Sequence, residues 1–180
     1  MTRVVLSVGS NLGDRLAWLQ TVADRAGTAL RAVSPVYETD PWGDLEQGPF
    51  LNAVLVVEDA ERDERAWLRF AQESERAADR VRGRHWGPRT LDVDLLACYQ
   101  LAAQGYVTEE VIRSEADLTL PHPLAHRRAF VMVPWLAVDP EAELTVAGQR
   151  RPVVELLAEL ALSEQAGVRR TTATLSMPRS

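Results

Sequence analysis

A chain of 180 residues, 46% hydrophobic and 26% charged, has the size and composition of one globular domain with a real core, which excludes global disorder. A single cysteine, Cys98, excludes an internal disulfide and a cysteine-rich zinc site and fits a reducing cytoplasm. All twenty basic side chains are arginine, which excludes a Walker-type, kinase-type or Schiff-base lysine, and a net charge of −6 gives no whole-protein attraction to nucleic acid.

Arg3 to Val8 reads as a strand and is too short an apolar run for a signal peptide. Leu12, Leu16, Leu19, Ala23, Ala26 and Leu30 then recur at helical spacing, with Ser10 or Asn11 available as the N-cap. A β-branched and aromatic stretch covers Val33 to Tyr37, and residues 40–49, with two Pro and two Gly, read as a loop. Phe50 to Val57 is the strongest strand signal. A helix follows from Asp63 to about Asp79, with Trp67, Phe70, Ser74, Ala77 and Val81 inward. Thr90 to Leu96 is a further strand, and Tyr106 to Leu120 holds a short hairpin or turn. Ala129 to Val138, the longest apolar run, is about half of the ~20 residues a membrane span requires, and reads as a helix interrupted near Pro134. Pro152 to Leu160 forms a last helix, with Pro in its first turn. Residues 163–180 read as a loosely held tail on a domain of residues 1–162. The order β-α-β-β-α-β with short connections predicts an α+β, ferredoxin-like fold, with a mostly antiparallel sheet and C-terminal additions.

The chemistry concentrates in Trp86-Gly87-Pro88-Arg89-Thr90-Leu91-Asp92-Val93-Asp94-Leu95. Side chains alternate along a strand, so Leu91, Val93 and Leu95 take one face while Asp92 and Asp94 share the other. Carboxylates at i and i+2 lie roughly 6–7 Å apart by strand rise. Such a pair is able to share hard cations, and magnesium commonly binds one or two carboxylates together with substrate phosphates. The plainer reading is a half-buried strand with two solvated aspartates, but Asp is disfavoured in strands and two like charges side by side need a compensating cation. An Arg-rich loop runs straight into this strand. Residues 76–89 hold five Arg and one Asp, a net +4 that leaves −10 for the rest of the chain. Guanidinium forks match phosphate oxygens, so carboxylates and arginines flanking one cleft suit a metal-bound polyphosphate. Weaker signals accompany these. Gly9-Ser10-Asn11-Leu12-Gly13 reads first as a tight turn and helix cap, His122 and His126 lack a zinc-site pattern, and Phe50 with Asn52 could stack and read a flat heterocycle. Gln72, Glu75 and Asp79 share a polar helix face.

At Gly9-Ser10-Asn11-Leu12, Tyr37-Glu38-Thr39-Asp40-Pro41, Phe50-Leu51-Asn52-Ala53, Arg80-Val81-Arg82, Arg89-Thr90-Leu91-Asp92-Val93-Asp94-Leu95 and Leu118-Thr119-Leu120-Pro121-His122, the sequence resembles the 6-hydroxymethyl-7,8-dihydropterin pyrophosphokinases of folate biosynthesis. The likeness covers roughly residues 3–138. It implies a ferredoxin-like α/β/α sandwich and an ATP-dependent transferase that moves an intact diphosphoryl group to the pterin hydroxymethyl and releases AMP. It further implies two Mg²⁺ ions on Asp92 and Asp94, with Arg80 and Arg89 as catalytic cations. A nucleotide site is implied at Gln72, Glu75, Arg82, Trp86, Arg89, Leu95, Leu118, Thr119, His122 and Arg128. The pterin would meet Thr39, Asp40, Trp42, Asn52, Trp86 and Asp92, between the rings of Phe50 and Phe130. Asp117 stands where the likeness calls for a basic residue, with Arg113 near enough to compensate. The segment from about Ala97 to Ser114 is longer than the likeness accounts for. The partners implied are small molecules only, for a cytoplasmic monomer that engages no nucleic acid and no membrane.

Two rivals use the same residues. A nucleotidyltransferase also combines a Gly-Ser turn with Asp-x-Asp, but there the two lie close in sequence, whereas Ser10 and Asp92 are 82 residues apart. A ferredoxin-like RNA-binding module would use the basic loop, against which stand the acidic balance and the absence of an aromatic RNA-binding run.

Overall fold

The computed structural model describes residues 1–40, 48–82 and 90–178, and for 80–82 the backbone alone. Strand β1 (Thr2–Ser10) is followed by helix α1 (Arg15–Ala26), strands β2 (Leu30–Val33), β3 (Pro35–Thr39) and β4 (Phe50–Asp59), helix α2 (Glu64–Arg82) and strand β5 (Asp92–Leu101). This is the anticipated β-α-β-β-α-β order, with the second strand broken in two at Ser34. Beyond it come β6 (Val107–Glu110), β7 (Arg113–Ser114), β8 (Thr119–Leu120), α3 (Ala129–Val138), β9 (Glu143–Val146), β10 (Gln149–Pro152), α4 (Val153–Ala158), α5 (Leu162–Ala166) and β11 (Val168–Thr174).

The main sheet runs β11-β3-β4-β1-β5-β6, antiparallel at each pairing, and β2 also pairs with β4. β1 is central because its run Val4-Val5-Leu6 supplies apolar side chains to both faces. On one face Val4, Leu6 and Val8 pack with Leu19 and Val22 of α1 and with Trp67 and Phe70 of α2. On the other, Val5, Val54, Leu96 and Tyr99 pack with Met132 and Trp135 of α3 and with Leu156 of α4. The result is an α/β/α sandwich. No helix among the described residues is long and apolar enough to cross a membrane.

Local chemistry shifts several boundaries. The N-cap of α1 is Asp14, not Ser10 or Asn11: its carboxylate accepts the Ala17 N–H at 3.1 Å. The helix stops at Gly27, whose φ of 54° suits glycine, so the apolar periodicity to Leu30 overran it. In α2, Ala78 is buried and Ala77 half-buried, whereas the side chain of Val81 lies outside the described residues. Ser74 is buried with its hydroxyl satisfied twice, donating to the Phe70 carbonyl at 2.8 Å and accepting from Arg25 Nε at 3.2 Å. Helix α3 continues through Pro134 because Val131, Met132 and Trp135 bury its inner side and outweigh the lost N–H.

The extra length from Ala97 onward extends β5 to Leu101 and turns into β6, which forms one sheet edge. The expected loose tail after Ser163 is corrected by the structure. α5 leads into β11, which takes the other edge alongside β3; Leu175 beyond it is buried; and Ser176 and Gln20 exchange hydrogen bonds of 2.8 and 3.1 Å. A β9–β10 hairpin, absent from the sequence reading, turns at Ala147-Gly148 with φ of 49° and 77°.

Candidate active site

Antiparallel register carries one row of residues across four strands. Tyr37 on β3 faces Asn52 on β4, Asn52 faces Gly9 on β1, and Gly9 faces Asp92 on β5. The neighbouring row places Asp94 opposite Ser7. Opposed residues share a sheet face, so Asn52, Gly9, Asp92 and Asp94 all look toward the α3 layer, as do Thr39 and Phe50 one step along.

Gly9 is required by a close approach: a β-carbon there would lie 2.5 Å from Asn52 Oδ1. The other end of the same amide donates to the Thr39 hydroxyl at 2.6 Å, with both residues buried. A buried amide whose nitrogen is committed to Thr39 and whose oxygen lies against Gly9 has a defined orientation, which recognition of a heterocycle edge needs.

Asp92 and Asp94 are half-exposed on one face of β5, while Val93 and Leu95 enter the core beneath α1 and α2. The strand is secured from outside by Glu75 of α2, whose Oε1 accepts the Val93 N–H at 2.8 Å. A β-bulge follows: Val5 faces Ala97 and Leu6 faces Leu95, leaving Leu96 as the extra residue. The freed Leu96 carbonyl accepts the His122 N–H at 2.8 Å and so brings His122 beside Asp94. His122 Nδ1 accepts the Leu124 N–H at 3.1 Å. Burial holds the pKa of this imidazole below its usual value, with Arg128 acting in the same direction and Asp94 against it. The neutral ring therefore carries its proton on Nε2.

Arg128 precedes α3 and brings a guanidinium nitrogen 3.9 Å from Asp94 Oδ2, with its charged end 5.6 Å from the Phe130 ring centre. Among the described residues no three His, Cys, Asp or Glu side chains gather as a closed metal cage. The donor set is the aspartate pair, which suits a hard cation that takes its remaining ligands from water and phosphate oxygens.

Two clefts adjoin this face. One of about 280 Å³ is lined by Asp94, Leu95, Leu118, Thr119, His122 and Leu68 among others, bringing four of the proposed nucleotide residues together with one of the proposed metal ligands. Gln72 is exposed one turn along α2 from Leu68 and lies outside that lining. The other, about 200 Å³, is lined by Thr39, Asp40, Ala129 and Phe130, together with Ser163, Glu164, Gly167 and Val168, which sequence reasoning had set aside as tail. Ser163 and Glu164 belong to the five-residue helix α5 and Gly167 ends it, too short a run to show periodicity, and Val168 opens an edge strand whose half-polar pattern lacks clear alternation. Asp40 is gripped by Arg169 at 3.0 Å, and that guanidinium holds its carboxyl below the ordinary range.

Asp117 is neutralised by Arg65, which donates to both of its carboxylate oxygens at 2.8 and 2.7 Å. Arg113, the expected compensator, pairs instead with Glu64 and reaches Glu115 at 3.9 Å. Arg80 and Arg82 belong to the last turn of α2, their side chains outside the described residues; Trp42, Trp86 and Arg89 lie wholly outside them.

The family described as 7,8-dihydro-6-hydroxymethylpterin-pyrophosphokinase (HPPK) matches residues 5–140. A Mycobacterium tuberculosis protein named 2-amino-4-hydroxy-6-hydroxymethyldihydropteridine pyrophosphokinase is 65% identical over 169 residues, 94% of this chain and 89% of its own. A protein of the same name from Mycobacterium leprae is 61% identical over 180 residues, 100% and 94% of the two chains. One from Methylorubrum extorquens is 39% identical over 164 residues, 89% and 94%. Among solved structures, an HPPK-DHPS in complex with substrates superposes with a TM-score of 0.63 at 12% identity, over 94% of this chain and 46% of that one. Plasmodium falciparum HPPK-DHPS with pterin and p-hydroxybenzoate gives 0.62 at 12%, with the same coverage. This chain thus spans less than half of those two-part proteins, and the likeness to them speaks for the fold. By the matched span and by the identity to its bacterial relatives, the chain belongs to the 7,8-dihydro-6-hydroxymethylpterin-pyrophosphokinase family.

Proposed function

We propose that the chain transfers the diphosphoryl group of ATP to the hydroxymethyl group of 6-hydroxymethyl-7,8-dihydropterin, giving the pterin diphosphate and AMP. One observation carries this reading: the row Asn52–Gly9–Asp92, in which a fixed amide and a carboxylate stand on one sheet face with only a glycine between them. Two strand spacings separate the outer members by about 10 Å, a length that a two-ring heterocycle with a one-carbon arm spans. Asn52, fixed by Thr39, reads the ring edge; Phe50 and Phe130 enclose the ring faces; the arm then reaches Asp92. Thr39 and Asp40 complete the pterin side, to which the family resemblance also assigns Trp42 and Trp86.

Asp92 and Asp94 hold two magnesium ions, which when bound neutralise the triphosphate and orient the attacking hydroxyl. No general base is obligatory for such a transfer, and Asp92 is the one candidate to take the hydroxyl proton. Arg128 sets a positive charge beside Asp94, and His122 presents a neutral Nε2–H donor to a phosphate or ribose oxygen. Arg80, Arg82 and Arg89 supply charge where it builds in the transferred group and on the departing AMP. Leu95, Leu118 and Thr119 line the nucleotide cleft; Glu75 keeps β5 in place beside it, and Gln72 stands at its margin.

The test is product analysis after incubation with ATP, Mg²⁺ and the reduced hydroxymethylpterin. AMP with the pterin diphosphate supports the reading. Pyrophosphate with a nucleotidylated pterin would replace it by nucleotidyl transfer.

A further inference from the structure

We propose that strand β11, through Arg169, positions the Asn52–Thr39 pair and thereby sets affinity for the pterin rather than for the nucleotide. The inference rests on the reading of Asn52 as the pterin-binding amide. It concerns a segment beyond residues 5–140, the span that carries the family match.

Thr39 is the last residue of β3, with Phe50 opposite it on β4 and Val168 opposite it on β11. Without β11, β3 would be a sheet edge, and its end would be the first part to fray. Arg169 stands opposite Glu38, so its side chain is on the sheet face away from the Thr39 hydroxyl. From there one guanidinium nitrogen lies 3.0 Å from Asp40 Oδ1 and 3.8 Å from Glu38 Oε1. Arg169 therefore grips the residues on both sides of Thr39, and this fixes the backbone that aims the Thr39 hydroxyl at Asn52. The Gly167 carbonyl adds a third hold, accepting the Asp40 N–H at 3.3 Å. On the far side Arg15 of α1 reaches Glu38 at 3.4 Å and the Pro49 carbonyl at 2.8 Å, which ties the start of β4 to the same chain of charges.

β11 can impose this geometry because it is itself held. The Thr171 hydroxyl donates to the Val36 carbonyl at 2.8 Å, Leu175 is buried in the core on the α1 side, and Ser176 exchanges two hydrogen bonds with Gln20. The ion pairs of Arg169 are half-exposed. Pairs of that kind add little to global stability, so losing them releases a local constraint without unfolding the protein.

The experiment compares the full-length enzyme with Arg169→Ala, Arg169→Lys, Thr39→Val and the double variant Arg169→Ala/Thr39→Val, reading KM for pterin and ATP, kcat and Tm. Arg169→Ala is expected to raise the pterin KM about five- to tenfold, with ATP KM and Tm unchanged. Arg169→Lys is expected to recover part of that loss, because an ammonium keeps the charge but sits on a shorter side chain and holds the two carboxylates less firmly. Adding Arg169→Ala to Thr39→Val is expected to cost little more, since the arginine acts through the threonine. An equal rise in both KM values, or a fully additive double variant, would overturn the proposal. Failure of the unaltered enzyme to bind pterin, followed by its fluorescence, would instead overturn the assignment of Asn52 on which the proposal stands.

Discussion

The Asn52 carbonyl oxygen occupies the space above Gly9 that a β-carbon would need, 2.5 Å away, while the nitrogen of the same amide is committed to Thr39 at 2.6 Å. The amide cannot retreat from Gly9 without giving up Thr39. Gly9→Ala is therefore expected to lower pterin affinity at least tenfold and to destabilise the fold by about 1–3 kcal/mol. Fluorescence titration with pterin and a thermal melt measure the two effects. Unchanged pterin binding in Gly9→Ala would separate Asn52 from recognition.

Glu75 gives a prediction on the nucleotide side. Its carboxylate accepts the Val93 N–H between the two aspartates. Glu75→Ala leaves that amide without its acceptor, a loss of about 1–3 kcal/mol, and lets β5 shift where Asp92 and Asp94 must converge. Glu75→Gln keeps an acceptor oxygen of the same length. The alanine variant is expected to show a raised ATP KM and a lower Tm, and the glutamine variant to stay near wild type in both. Equal damage in the two would mean that the charge of Glu75 matters, rather than its acceptor.

The aspartate pair was legible in the sequence because strand alternation is strict: Asp92 and Asp94 had to share a face once Val93 and Leu95 were core. The row across the sheet was not, since register is a relation between strands. Nothing in Gly9-Ser10-Asn11 says that Asn52 will lie over Gly9, so the glycine read as a turn residue. Leu96 is equally silent: as an apolar residue in an apolar strand it gives no sign of being the bulge that presents a carbonyl to His122. Asp14 lost to Ser10 and Asn11 as a cap because the apolar periodicity began at Leu12, one turn before the helix. The β9–β10 hairpin escaped because Ala147 takes a left-handed conformation that alanine rarely adopts. β11 was missed because an outer strand with one half-buried face needs few apolar residues, and its docking depends on the single buried Leu175 and on polar contacts to Val36 and Gln20.

Cys98 supplies a prediction for alkaline pH. Burial, reinforced by Glu64 and opposed by Arg113, pushes its thiol from an ordinary value near 9 up to about 12. Between those values the unfolded chain ionises while the folded chain keeps its proton. The folded state then binds more protons, and stability falls as pH rises through that window. Tyr99, also raised by burial, acts in the same direction. Urea midpoints are expected to be level near pH 7–8 and to decline above about pH 9, with a shallower decline in Cys98→Ala. The native protein is expected to resist thiol reagents at pH 8 and to react at one site per chain once denatured. Rapid labelling of the native protein would contradict the burial.

The central claim is that Asp92 and Asp94 jointly hold the cations on which the nucleotide's phosphates rest. Manganese binding followed by electron paramagnetic resonance, with a non-hydrolysable ATP analogue present, measures this directly in the wild type and in Asp92→Asn and Asp94→Asn. The account predicts two tightly bound ions per chain in the wild type, and loss of tight binding in each variant without a fall in Tm. Undiminished manganese binding in either variant would contradict it.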